Sequence, residues 1–149
     1  MLRGLSTVTF YAADVAAARD WYQKALGVEA YFAREINGSL AYVEFRIGDH
    51  QHELGIIDSR FASHPVGAPA GAVVYWHVDD VAAAVDQLVG LGAKVHDEIT
   101  ERGPGFVTAS VVDPFGNLLG VMFNQHYLDV LAASQVPSSL AMSSRGAAS

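Results

Sequence analysis

Asp14-Val15-Ala16-Ala17-Ala18 returns later in the chain as Asp80-Val81-Ala82-Ala83-Ala84. Leu26-Gly27 returns as Leu91-Gly92, and Leu54-Gly55 as Leu119-Gly120, at an offset that differs from the first by a single position. Three matches in one order and at nearly one spacing define an internal repeat. The chain reads as two modules, 4–58 and 72–124. The segment between them, 59–71, carries Pro65, Gly67, Pro69 and Gly71 and reads as a linker.

Working outward from the repeat, each module opens with a strand. In Thr7-Val8-Thr9-Phe10-Tyr11-Ala12 the even positions are apolar, the period of a half-buried strand. Asp14 fits an N-cap, because its carboxylate can accept from the free amides of the first helical turn. Val15, Ala18, Tyr22, Ala25 and Leu26 follow at helical spacing, and Gly27 suits a left-handed C-terminal stop. Module two repeats the plan with strand Val73–Val78, cap Asp80, helix face Val81, Ala84, Val85 and Leu88, and stop Gly92. Three further strands are expected in each module: Glu29–Arg34, Leu40–Ile47 and Gln51–Ile57, then Lys94–Ile99, Phe106–Asp113 and Asn117–Phe123. The fold class is α+β: two tandem βαβββ modules forming a cupped mixed β-sheet with helices on its outer face. A single domain spans 4–124, and 125–149 supplies a short helix (Tyr127–Ala132) and a mobile tail.

Composition narrows the chemistry. The 149 residues contain no cysteine, so disulfides, thiolate metal sites and cysteine nucleophiles are excluded. The formal charge is −7 with no basic run, which argues against nucleic acid as a partner. No apolar stretch approaches the ~20 residues that span a bilayer, and no secretory pattern precedes the first strand. The expectation is a soluble cytoplasmic protein whose partner is a small molecule or another copy of itself, as a homodimer, without nucleic acid or membrane as partner; the sequence does not choose between monomer and dimer.

Strand parity assigns the faces. Val8, Phe10, Leu54, Ile56, Val74, Trp76, Val78, Leu119, Val121 and Phe123 should pack under the helices. The opposite face carries Thr7, Thr9, Tyr11, Glu53, Gly55, Ile57, Val73, Tyr75, His77, Leu118, Gly120 and Met122. Aromatic, hydroxyl and titratable groups on one otherwise apolar face match the lining of a ligand cup. Thr7, Thr9, Tyr11, Glu53, Tyr75, His77, Leu118 and Met122 are the candidate ligand-binding residues. Glu53 in a closed cup, and His77 two residues beyond Tyr75, are the candidate acid/base groups should the cup catalyse a reaction. Tyr11 and Tyr75 can stack on a planar ligand. His50 and His52 share a face, but parity turns them from the cup and no third metal ligand is near in sequence, so they read as a surface pair. His64, His96 and His126 are given no role.

The two βαβββ modules, the junctions Ala12-Ala13-Asp14-Val15 and Val78-Asp79-Asp80-Val81, and the turn Asp113-Pro114-Phe115-Gly116-Asn117 before the last strand resemble the vicinal oxygen chelate superfamily. That group includes glyoxalases, bleomycin-type resistance proteins, fosfomycin-modifying enzymes and extradiol dioxygenases. The resemblance covers residues 4–124 and implies a cup with four metal-ligand positions. Carried onto this chain they are Thr7, Gly55, Val73 and Gly120, and none is a usual ligand for a divalent cation. The resemblance therefore implies no metal and no cofactor here, and a binding protein for a planar or amphipathic, antibiotic-like molecule. The alternative is a metal-independent isomerase or lyase using Glu53 or His77, and behind it a metal-dependent glyoxalase or dioxygenase with a displaced site.

Overall fold

A computed structural model describes residues 5–68 and 72–135. The first module runs β1 (Thr7–Ala12), α1 (Val15–Leu26), β2 (Phe32–Ile36), β3 (Ser39–Ile47) and β4 (His52–Asp58), followed by a 3-10 turn at Ser59–Phe61. The second runs β5 (Tyr75–His77), α2 (Val81–Gly90), β6 (Lys94–Gly103), β7 (Phe106–Val112) and β8 (Leu118–Asn124), and α3 (Gln125–Ser134) follows it. Hydrogen bonding divides the strands into two four-stranded sheets with the same plan, β1-β4-β3-β2 and β5-β8-β7-β6. In each, the first strand pairs in parallel with the last and the other pairs are antiparallel.

The caps form as the repeat predicts. Asp14 accepts from the Ala17 amide and Asp80 from the Ala83 amide, both at 2.9 Å. Gly27 takes the left-handed conformation (φ 68°) and returns its amide to Gln23. Some element bounds differ from the sequence reading. β2 starts at Phe32 rather than Glu29, although the Tyr31 amide already bonds the Glu44 carbonyl across the gap. β5 keeps three residues because only these pair in register with β8, while Val74 and Val78 each contribute one bond at its ends. Part of the linker (69–71) and the tail from 136 lie outside the described residues.

Parity holds for the core. Val8, Phe10, Leu54, Ile56, Leu119 and Val121 are buried in one cluster with the inner faces of α1 and α2, and Val74, Trp76 and Phe123 pack against it half-buried. The cluster runs through both modules. Trp21 of α1 donates its indole N–H to the Leu91 carbonyl at the end of α2 (2.7 Å) and meets Phe115 edge-on.

The turn before β8 joins the modules. Asp113, buried, accepts from the amides of Phe115 and Asn117, from the Asn117 carboxamide and from the hydroxyl of Tyr22 on α1. Asn117 in turn clamps the free edge of β1. Its Oδ1 accepts from the Tyr11 amide (3.0 Å) and its Nδ2 donates to the Tyr11 carbonyl (2.9 Å). One residue of an unpaired strand edge is thereby satisfied by a single side chain.

Candidate ligand-binding cup

The two last-strand positions to which the resemblance carries the metal ligands, Gly55 and Gly120, lie beneath tyrosine rings. A Cβ at Gly55 would stand 2.5 Å from the Tyr42 hydroxyl, and one at Gly120 2.7 Å from Cδ1 of Tyr75 and 2.8 Å from the Val74 carbonyl. Any donor side chain there needs its tyrosine to move. At the other two positions, Val73 has no donor atom and the Thr7 hydroxyl donates to Glu53 Oε2 (3.0 Å). Among the described residues no group of three or more His, Cys, Asp or Glu is placed to hold a metal ion. The residues at this site do not fit a divalent cation, which needs about three protein ligands.

On the cup face of module one a polar cluster has formed around Glu53. The Tyr31 and Tyr42 hydroxyls both donate to the Glu44 carboxylate, and Tyr31 also lies 3.5 Å from Glu53 Oε1. Arg46 places its guanidinium 4.2 Å from the centre of the Tyr31 ring, within cation–π range. Glu44 is held above the ordinary carboxylate range, first by burial and then by the charge of Glu53, with Arg46 opposing. Tyr42 is raised by burial and by the same charge. Beside this cluster a mostly apolar groove of about 420 Å³ is lined by Phe32, Ile36, Tyr42, Ile57 and Phe61, with Arg34 as its charged member. Tyr42 belongs to both, so one ring links an apolar floor to a carboxyl–phenol edge.

The structure distributes the expected site residues over three places. Thr7 and Glu53 join the polar cluster. Thr9, Tyr11 and Leu118 line a 270 Å³ cavity along β1, where His64 meets Tyr11 edge-on at 5.2 Å. Tyr75, His77 and Met122 line a 220 Å³ cavity along β5. His77 stacks on Tyr127 of α3 (4.5 Å, 13°), and its Nδ1 accepts from the Asn124 amide (3.2 Å). Among the described residues no hydrogen bond or ring contact links Glu53 to His77. His52 lines the same 220 Å³ cavity, while His50 lies 5.8 Å from the Tyr127 ring.

Tyr31, Tyr42, Glu44 and Arg46 are not among the expected site residues. Three of them are findable: in Tyr42-Val43-Glu44-Phe45-Arg46 the polar residues alternate with apolar ones, and that parity sets them on the face of Glu53. Tyr31 precedes the strand that forms, so parity gives no signal for it. Tyr127 sits beyond the repeat, and no module position announces it.

Two paired βαβββ sheets, helices on one side and a cup on the other define a vicinal oxygen chelate fold. The profile of the Glyoxalase/Bleomycin resistance protein/Dioxygenase superfamily matches residues 4–121. The chain belongs to this superfamily. Solved structures with the same fold include a glyoxalase-related enzyme from Fulvimarina pelagi (17% identity, TM-score 0.66, covering 83% of this chain and 90% of that one). A superfamily member from Sphaerobacter thermophilus is similar (18%, TM-score 0.66, 81% and 97%). So is a mutant of the fosfomycin resistance protein FosX from Listeria monocytogenes, complexed with Mn(II) and dihydroxypropylphosphonic acid (16%, TM-score 0.64, 83% and 92%). A search of curated proteins gave no match.

Proposed function

We propose that this protein binds a planar or amphipathic, antibiotic-like small molecule in the cup of module one, without a metal. The observation that carries the reading is the pair of tyrosine-roofed glycines at the superfamily's metal-ligand positions. The Tyr42 ring that fills one slot also walls the 420 Å³ groove, whose size lies in the range of small-molecule pockets. The apolar floor would take a ring system, and the Glu44–Tyr31–Glu53 edge a polar group on it. Tyr31, Phe32 and Phe61 are each about half exposed on or beside this face. An open apolar face of this kind is an interaction surface, and closure by a second copy of the chain accords with it. No helix among the described residues is long and apolar enough to cross a membrane.

A second reading draws on the same cluster. A carboxyl held up at Glu44, bonded to two phenols and facing Glu53, is a proton-relay arrangement suited to a metal-independent isomerase or lyase. His77 takes no part in it, because Tyr127 covers one face of its ring.

Thermal shift against a panel of planar and amphipathic compounds tests the binding reading. The expected result is a stabilising class whose shift survives exhaustive chelation and is lost in Tyr42→Ala. A stabilising effect that chelation abolishes and one added metal restores would overturn it. Turnover of a bound compound that Glu44→Gln and Glu53→Gln both remove would favour the enzyme.

A further inference from the structure

The repeat relates the two inter-module cavities. Val8–Tyr11 line the 270 Å³ cavity and their repeat counterparts Val74–His77 line the 220 Å³ one. On the same scheme Tyr11 corresponds to His77, and Asn117 of module two to His52 of module one. In module one the edge residue is satisfied, because the Asn117 carboxamide bonds both the amide and the carbonyl of Tyr11. In module two it is not. The Gly120 amide donates to the Val74 carbonyl and the Val78 amide to the Met122 carbonyl, so the even residues of β5 turn their backbone toward β8. In a parallel ladder the N–H and C=O of one residue point the same way and alternate along the strand. The amide and carbonyl of His77 therefore face the free edge, where among the described residues neither has a partner. His52, the counterpart of Asn117, is an imidazole and cannot give the two-point amide pairing.

Other polar groups on this cavity's lining residues are also unmet. Trp76 Nε1 and His77 Nε2 are buried without a hydrogen-bond partner. His77 is 10% exposed, its Nδ1 already accepts from Asn124, and the nearest carboxylate to Nε2, that of Asp79, stands 3.6 Å away. Unmet buried donors are rare in folded proteins and call for an occupant. The cavity exceeds the roughly 30 Å³ share of one water. Tyr75, Trp76, His77 and Tyr127 are among the rings around it, and Ile47 and Met122 among its aliphatic residues.

We propose that the β5 edge is a second ligand site, separate from the cup of module one, and that it takes a planar primary carboxamide. The carboxamide pairs with the His77 amide and carbonyl as Asn117 pairs with Tyr11, and its ring lies among the surrounding aromatics. Acidic Asp49 and Asp79 near the rim disfavour a carboxylate in the same place.

Benzamide is the probe, titrated to about 20 mM into the 15N-labelled full chain, a range suited to so small a ligand. The expected result is saturable movement of the His77 backbone amide and of the Trp76 indole resonance. The Trp21 indole, bonded to Leu91, stays in place and serves as the internal reference. Benzoate, which offers no donor, leaves both unmoved. His52→Asn installs the chain's own carboxamide at the edge and weakens benzamide at least about tenfold. An unmoved His77 amide overturns the site, and so does benzoate equal to benzamide, a comparison that needs no variant. Undiminished binding in folded His52→Asn overturns it too. Movement confined to the groove around Tyr42 overturns this site while leaving the cup reading intact.

Discussion

The hydroxyl of Tyr22 donates to the carboxylate of Asp113 at 2.5 Å, with Tyr22 fully buried and Asp113 4% exposed. One residue lies on the first helix and the other in the last turn of the second module, so this bond ties the two halves through the core. Tyr22→Phe removes one donor to a buried carboxylate and is expected to cost about 1–3 kcal/mol. Asp113→Ala strips the partner from Tyr22, two turn amides and Asn117 together, and is expected to cost about 3 kcal/mol or more. Urea midpoints of the two variants give the order; an equal or reversed order would show that the turn does not depend on this carboxylate.

The same bond sets an alkaline limit. Burial, and then the charge and hydrogen bond of Asp113, hold Tyr22 well above the usual phenol value of 10.0. A raised folded pKa means stability is fully present below the unfolded value, near pH 10, and is lost as pH rises beyond it. Unfolding free energy of the native chain should therefore fall more steeply between pH 10 and 11 than that of Tyr22→Phe. Parallel slopes in the two proteins would rule Tyr22 out as the source.

Gly55 and Gly120 separate a yielding roof from a rigid one. At Gly55 the three atoms nearest a new Cβ all belong to the Tyr42 side chain, which can swing away; at Gly120 the nearest atoms include the Val74 carbonyl at 2.8 Å. Gly120→Ala should cost about 1–3 kcal/mol through overpacking. Gly55→Ala should cost less in stability while displacing Tyr42 from Glu44. Denaturant melts give the costs, and the carboxyl resonance of Glu44 reports the displacement. A larger penalty at Gly55 would mean that Tyr42 is fixed.

How much of this could be read from the chain follows from what each signal depends on. The repeat, the caps at Asp14 and Asp80 and the stop at Gly27 rest on local chemistry, and they stand in the structure where the sequence puts them. The core face of β1, β4 and β8 follows from period two alone. The site was less legible. Parity places Glu53 and His77 on their faces, yet whether they meet depends on how two sheets sit side by side, which no local pattern encodes. His52 reads as a surface residue because parity ignores strand ends, and at the start of β4 it reaches the neighbouring module's edge. The pairing of Asn117 with Tyr11 joins opposite ends of the chain and has no sequence signature.

Glu44 offers a direct test of the cup's electrostatics. Burial is the larger cause of its raised pKa and Glu53 the smaller, with Arg46 pulling the other way. Glu53→Gln should lower the Glu44 titration midpoint but leave it above 4.5, because the burial contribution remains; Arg46→Ala should raise it further. Because the folded value is raised, Glu44 favours folding below about pH 4.5 and that contribution is lost as pH rises through the folded value. Glu44→Gln should thus gain stability at neutral pH relative to the parent. Carboxyl 13C titrations check the midpoints, and an unchanged Glu44 in Glu53→Gln would show that the two carboxylates do not interact.

The last helix is anchored at two points. No residue of α3 is buried; the Gln125 amide at its start donates to the Gly105 carbonyl (3.0 Å), and Tyr127 stacks on His77 and donates to Asp49 Oδ2 at 2.9 Å. The Nδ1 of His77 also accepts the amide of Asn124, the residue that caps the helix. Tyr127→Phe keeps the stacking and loses one exposed hydrogen bond, so α3 amides should exchange only slightly faster. Tyr127→Ala removes the ring, and those amides should approach the exchange of an unprotected peptide while β1, β4 and β8 remain protected. Hydrogen exchange by mass spectrometry resolves the two cases. Protection of α3 retained in Tyr127→Ala would mean that the helix is held by contacts other than the ring.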